Sequence, residues 1–305
     1  VQGMAIEAQE SAEGRREKVA FLIEHLLTEM PAYREEAARI PRDRQAQRDF
    51  LRALMNVRPP IPLQAEFLRV QDALLTEERE ARGVVDGAAL STVAEERRTA
   101  MARGAASGAG MDTADENFVL WQGDITRLAV DAIVNAANSA LLGCFVPLHR
   151  CIDNAIHSAA GLALRAACDE IMREQGHPEP AGRAKITPGF NLPARYVLHT
   201  VGPIIAPVGS HVHEPGVFAG VTREAQQCLA SCYRACLDLA AGHGLTSVAF
   251  CCISTGEFHY PPQEAAETAV ATCRAWLQAH DAPMRIVFNV FKDEDLAIYR
   301  RIFQL

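Results

Sequence analysis

From Asn117 onward the chain alternates short apolar runs with longer amphipathic stretches, and this alternation restricts its fold more than any other feature. The runs at 118–121, 132–134, 196–201, 248–253 and 286–291 have strand length and are rich in apolar and β-branched residues. Helical patterns lie near 152–172, 221–242 and 262–279, and a last one runs from about Glu294 to Ile302. Strands separated by helices predict an α/β domain with a largely parallel sheet covered on both faces. Ligands of such sheets bind beyond the carboxyl ends of the strands, where the chemically unusual residues of this chain fall.

The texture upstream is different. Val19, Leu22, Ile23, Leu26, Leu27 and Met30 recur at helical spacing and stop at Pro31. Phe50, Leu51, Leu54 and Met55 form a second stripe, broken by the prolines after Arg58, and a third runs from about Leu63 through Phe67, Val70 and Leu74. Residues 1–14 lack such a period and are expected to be frayed. The chain therefore divides, as an expectation, into a small all-helical N-terminal domain over 1–80, an Ala/Gly-rich linker over 81–115 and an α/β domain over 116–305. A helical unit of this size has a marginal core of its own and is expected to dock on the α/β domain.

With 30 basic against 38 acidic residues the formal charge is -8, which argues against nonspecific attraction to a polyanion. Bulk nucleic-acid binding is not expected, although a local pocket can still hold a diphosphate. No uninterrupted apolar run approaches the roughly 20 residues a bilayer requires, so no membrane partner is expected either. The nine cysteines are odd in number and stand in apolar or metal-like settings, which suggests a reducing, cytoplasmic compartment.

The densest chemistry lies between Asn138 and His157. Cys144 and His149 are five residues apart and Cys151 follows two later, a spacing that suits a loop, and Pro147 keeps the stretch from being helix. Soft thiolates with imidazole suit zinc, and three ligands would leave a position open for chemistry. The alternative is two buried cysteines beside an unrelated histidine. Asp153 stands at the start of the following helical pattern, as an N-cap, a catalytic group or both. Asp124, after the first strand, can accept from an exocyclic amine or merely close a turn. Asn135 and Asn138 follow the second strand and can bind sugar hydroxyls or serve as turn residues. Ser254, Thr255, Gly256, Glu257 and Phe258 follow a strand and precede a helix, as a phosphate-binding turn would. Cys228, Cys232 and Cys236 share one helix face and are expected to be core packing. His211 and His213 are expected to be solvated, and His199 to be a satisfied core histidine.

Taken in order, Gly-Asp-Ile-Thr at 123–126, Val-Asn-Ala-Ala-Asn at 134–138, Cys-Ile-Asp-Asn-Ala-Ile-His at 151–157, Thr-Pro-Gly at 187–189, Tyr-Val-Leu-His-Thr-Val-Gly-Pro at 196–203 and Ile-Ser-Thr-Gly at 253–256 resemble the motif series of the macrodomain family. The resemblance spans about 111–305. The loop from Gly143 to Cys151, where metal-free hydrolases of the family carry glycines, resembles the zinc-dependent branch, as does the segment at 54–60. The family implies a three-layer α/β/α fold with a mixed sheet and a cleft for ADP-ribose. It implies Asp124 on the adenine amino group, Ile125 beside the base, and residues 254–258 around the diphosphate with Phe258 near the distal ribose. Asn138 would bind that ribose, and Asp153 would occupy the catalytic carboxylate position. The expected function is zinc-dependent removal of mono-ADP-ribose from modified proteins, at Asp or Glu side chains, with Cys144, His149 and Cys151 holding Zn2+. The alternative is a module that binds ADP-ribose without cleaving it.

Overall fold

The computed structural model describes residues 2–103, 112–206 and 220–305, with residues 2–12 described by backbone alone. His211 and His213 lie outside the described residues, as do 104–111. Four helices open the chain: α1 (Gln2–Glu29), α2 (Arg34–Arg39), α3 (Arg44–Val57) and α4 (Ala65–Arg82). Residues 2–14, expected to be frayed, are helical and continue directly into the apolar stripe of α1. Asp43 caps α3 by accepting from the Ala46 N–H at 3.0 Å, and Pro59 and Pro60 follow its end. Leu22, Leu26, Phe50, Leu51, Leu54 and Phe67 meet in one core, which Leu162 joins from the α/β part. The helical unit is docked as expected: the buried Gln71 side chain accepts from the Leu162 N–H at 2.9 Å.

The expectation of a linker over 81–115 is corrected by β1 (Val85–Asp86) and α5 (Val93–Ala102). Helix α5 opens with a capping box between Thr92 and Glu95, and it buries Val93 and Ala94. Arg97 and Asp115 form a buried ion pair at 3.0 Å. Composition hid this helix, because alanine serves a buried helix face as readily as a linker.

The remaining elements are β2 (Phe118–Gln122), β3 (Leu128–Ala129), β4 (Ala132–Ala136), α6 (Ile152–Ala160), α7 (Leu162–Gln175), β5 (Ala184–Pro188), β6 (Tyr196–Thr200), α8 (Arg223–Gly242), β7 (Ser247–Phe250), α9 (Pro262–Ala279), β8 (Arg285–Val290) and α10 (Asp293–Phe303). The main sheet has the order β2-β8-β7-β4-β6-β5. All neighbours run parallel except β5, which pairs antiparallel with β6 and makes the sheet mixed. The short β1 and β3 form a separate parallel pair. The sheet is apolar on both faces and helices cover it, giving the three-layer α/β/α arrangement implied by the resemblance.

The helical pattern over 152–172 is broken at Gly161. Its φ of +90° and the Gln71 side chain, which would lie 2.6 Å from a Cβ there, separate α6 from α7. Among the described residues no helix is long and apolar enough to cross a membrane.

Candidate active site

Three strand ends supply the site. At the end of β2, one oxygen of Asp124 accepts from the Thr126 N–H at 2.9 Å and from its hydroxyl at 2.7 Å, closing the turn at Ile125–Arg127. The other oxygen faces Arg82 of α4 at 3.4 Å on a partly exposed side chain. The bland role is therefore real, and the second oxygen is paired with the Arg82 guanidinium on a partly exposed side chain. Ile125, in the turn that Asp124 closes, is buried in the core.

At the end of β4 the two asparagines part company. Asn135 is fully buried, and its amide donates to Asp153 Oδ1 at 2.8 Å and lies 3.2 Å from His199 Nδ1. It is therefore no sugar ligand. Asn138 is half-buried at the rim, with its oxygen accepting from the Ala140 N–H at 3.0 Å. Its Nδ2 reaches the Gly143 carbonyl at 3.2 Å and Asp153 Oδ2 at 3.4 Å. Each oxygen of Asp153 is thus met by an amide from the same strand end.

Asp153 does not cap α6. The cap is Cys151, whose sulfur accepts from the Asn154 N–H at 3.4 Å, and Asp153 stands in the first turn of the helix, buried. Burial raises its pKa to about 6, against the lowering effects of the Asn135 hydrogen bond and the Arg165 charge. His157, four residues on, sits 3.5 Å from Asp153 Oδ1 without hydrogen-bond geometry. Burial holds that imidazole well below its usual pKa, so the two do not form an ion pair.

The loop between β4 and α6 begins at Gly143, where φ is +83° and a Cβ would lie 2.8 Å from the His157 ring. The ligand atoms of Cys144, His149 and Cys151 all lie within 4.8 Å of one another, with Cys144 Sγ 3.5 Å from His149 Nδ1. Tetrahedral zinc, with bonds of about 2.0–2.3 Å, keeps its ligand atoms roughly 3.3–3.8 Å apart, so this donor set fits the ion with little movement. Burial first, and then the neighbouring Cys144 sulfur, push the Cys151 thiol up to about 12. Two thiolates this close repel unless a cation lies between them. The far nitrogen of His149 is 3.5 Å from Glu257 Oε1, a carboxylate placed to orient a ligating imidazole.

Glu257 belongs to the turn after β7. Ser254 adopts a left-handed φ of +66°, and its carbonyl accepts from the Tyr260 N–H at 2.9 Å. The Thr255 hydroxyl donates to the Cys252 carbonyl at 3.0 Å, and the Phe258 carbonyl accepts from Ile205 at 2.9 Å. Among the described residues, the N–H groups of Gly256, Glu257 and Phe258 meet no protein acceptor. The turn thus keeps three successive donors without a protein acceptor among the described residues, a feature that an anion cradle requires.

Direct contacts therefore link Asn138 with Asp153, Cys144 with His149, and His149 with Glu257, while Asp124 and Ile125 stand at a separate strand end. Sequence reasoning missed Arg82 and His157, and it read Asn135 as a possible sugar ligand rather than as a buried partner of Asp153. Only His157 left a local signal, its place four residues after Asp153 on one helix face. A second cluster, His157, Cys168 and His199, is wholly buried. His199 lies 3.0 Å from the Thr187 hydroxyl, and burial lowers it to about 4 while raising Cys168 to about 12, so the cluster is neutral core. Cys232 and Cys236 are likewise buried packing.

Residues 134–269 match the model of the Macro domain family. A protein-ADP-ribose hydrolase of Treponema medium is 47% identical over 288 residues, covering 94% of this chain and 98% of the relative. One from Staphylococcus aureus (strain MSSA476) is 44% identical over 255 residues, 84% of each chain. Among solved structures, a Trypanosoma brucei macrodomain in complex with ADP-ribose aligns with a TM-score of 0.56 at 28% identity, over 79% of this chain and 91% of the other. An Oceanobacillus iheyensis macrodomain variant with ADPR aligns at 0.52 and 36% identity, over 61% and 91%. With the mixed sheet, the antiparallel edge strand and a relative matching along nearly its whole length, the chain belongs to the macrodomain family.

Proposed function

We propose that this protein is a zinc-dependent protein-ADP-ribose hydrolase that removes mono-ADP-ribose from Asp or Glu side chains. The observation that carries this reading is the Asn138–Asp153 pair, 3.4 Å apart, on the same β4–α6 connection as the Cys144, His149 and Cys151 donor set. The names of the relatives support hydrolysis.

In this reading the outer oxygen of Asp124 accepts from the adenine amino group, and the main chain of Ile125 runs beside the base. Ser254, Thr255, Gly256, Glu257 and Phe258 surround the diphosphate with N–H donors, and the Phe258 ring flanks the distal ribose. Asn138 hydrogen-bonds that ribose and turns its reacting carbon toward the metal loop. Asp153, fixed by two amides, accepts a proton from water as the water oxygen bonds to the reacting ribose carbon and the carbon–oxygen bond to the protein breaks, the Asp or Glu side chain leaving as a carboxylate. Zinc, held by Cys144, His149 and Cys151, supplies a Lewis acid able to bring the pKa of bound water to about 7.

The test is release of free ADP-ribose from proteins carrying the modification on Asp or Glu, on Ser or on Arg, with ADP-ribose binding followed in parallel. Release from the Asp/Glu-linked protein alone is the expected result. Binding without release from any of the three would overturn hydrolysis and leave a binding module. Release confined to another linkage would overturn the substrate class.

A further inference from the structure

The loop 143–151 carries little support of its own. Phe145, Val146 and Leu148 are exposed, and Leu148 is held at a left-handed φ of +56° directly before His149. For a residue with a branched side chain such a φ is strained and persists only where the surroundings enforce it. The surroundings here belong to the helical unit. Asn56, near the end of α3 and 2% exposed, accepts the Leu148 N–H at 3.0 Å and donates to the Ser158 hydroxyl on α6 at 3.1 Å. One turn earlier, Arg52 donates to Asn154 Oδ1 at 2.7 Å and to the same hydroxyl at 3.2 Å.

Asn154 carries the restraint into the loop. Its side-chain N–H donates to the Val146 carbonyl at 3.0 Å, and its backbone N–H donates to Cys151 Sγ at 3.4 Å. A third tie comes from Arg165, buried on α7, which donates to the carbonyls of Leu142, Met55 and Arg58 and stacks 4.3 Å from the Phe145 ring. Positions 142, 145, 146 and 148 are therefore each joined to α3, directly or through a side chain that α3 touches, and 151 is joined to the main chain of Asn154, whose side chain Arg52 holds.

We infer that α3 is a working part of the metal centre, with Asn56 and Arg52 as positioning residues that hold the ligand loop in its metal-ready shape. The inference rests on the proposed zinc site. A loop already ordered in the ligating geometry loses less entropy on binding the ion, and outer partners of metal ligands are typically worth about 10–100-fold in affinity. The helical unit thereby sets the zinc affinity of a site to which it contributes no ligand.

The test measures zinc affinity by chelator competition, and the absorption of the cobalt-substituted protein, in the full chain and four variants. Asn56→Ala removes the acceptor for Leu148, whereas Asn56→Asp keeps it. Arg52→Met removes the hold on Asn154 at a half-buried position that a linear side chain can fill. Gln71→Leu breaks a helical-unit contact, to Leu162, that does not reach the loop. The expected result is a zinc affinity about 10–100-fold weaker with an altered cobalt spectrum for Asn56→Ala, and a loss in the same direction for Arg52→Met. Asn56→Asp, which keeps the acceptor for Leu148 but loses the donor to Ser158, should lose less affinity than Asn56→Ala, and Gln71→Leu should leave affinity and spectrum unchanged. Wild-type affinity in both Asn56→Ala and Arg52→Met would overturn the inference while leaving the zinc site standing, and an equal loss in Gln71→Leu would reduce it to general docking. A wild-type chain that binds no zinc would overturn the site itself.

Discussion

The turn proposed to hold the diphosphate and the loop proposed to hold the metal lie beyond the ends of paired strands, β7 and β4, yet they are held in opposite ways. The turn at 254–258 is tied by Ser254, Thr255 and Phe258 to residues that are almost all close in sequence, and its spare N–H groups are left without a protein acceptor among the described residues. The metal loop depends on Asn56, Arg52 and Arg165, so much of its shape comes from helices α3 and α7. A loop that recognises a fixed group can be self-sufficient, whereas a loop that must hold two thiolates and an imidazole in one geometry takes support from outside.

If this division is real, damage to one region should spare the other. Asp153→Asn should show the largest effect. Turnover should fall about 10²–10⁴-fold, the usual worth of a positioned proton acceptor, while ADP-ribose affinity measured by calorimetry stays near wild type. Gly256→Val strikes the turn instead. A Cβ at Gly256 meets no protein atom within 4 Å, so the fold should tolerate it while the side chain projects where the diphosphate would lie. ADP-ribose affinity should fall about 10–100-fold, roughly 1.4–3 kcal/mol, with zinc content by metal analysis unchanged.

Glu257→Gln tests a direct contact between the two regions, to His149. Its carboxylate is largely exposed, so the expected loss is at the low end for a partner of a ligating histidine, about tenfold or less in zinc affinity by chelator competition. The smallest effect should come from acid. Glu29 hydrogen-bonds the buried Arg58 at 2.6 and 2.9 Å, and this holds its carboxyl below the usual glutamate value. Its contribution to stability is therefore complete above about pH 4.5 and is lost as pH falls through the lower folded-state value. Denaturant midpoints measured down to pH 3 should drop less steeply for Glu29→Gln than for wild type over that window.

Legibility from sequence divides along similar lines. The β2, β4, β6, β7 and β8 strands stand out as apolar runs because they are buried on both faces, whereas β5, an edge strand carrying Lys185 and ending in Pro188, has no such run to mark it. Helix α5 was hidden in alanine-rich composition, although Thr92 and Glu95 stand at capping-box spacing. At the site, residue types and spacing pointed to Cys144, His149 and Cys151, which the structure brings together. They did not distinguish the inward Asn135 from the outward Asn138, since both follow the same strand end. They gave no sign of Asn56, because its partners Leu148 and Ser158 lie 92 and 102 residues away and only tertiary packing joins them.

The most direct test of the central claim compares zinc-loaded, chelator-stripped and zinc-restored protein for release of ADP-ribose from an Asp- or Glu-linked substrate, with ADP-ribose binding followed on each sample. The expected result is release that disappears on stripping and returns with zinc, while binding by the self-supported turn is unchanged throughout. Undiminished release by the stripped protein would contradict a role for the metal loop in the chemistry, and loss of binding together with release would contradict the independence of the two regions.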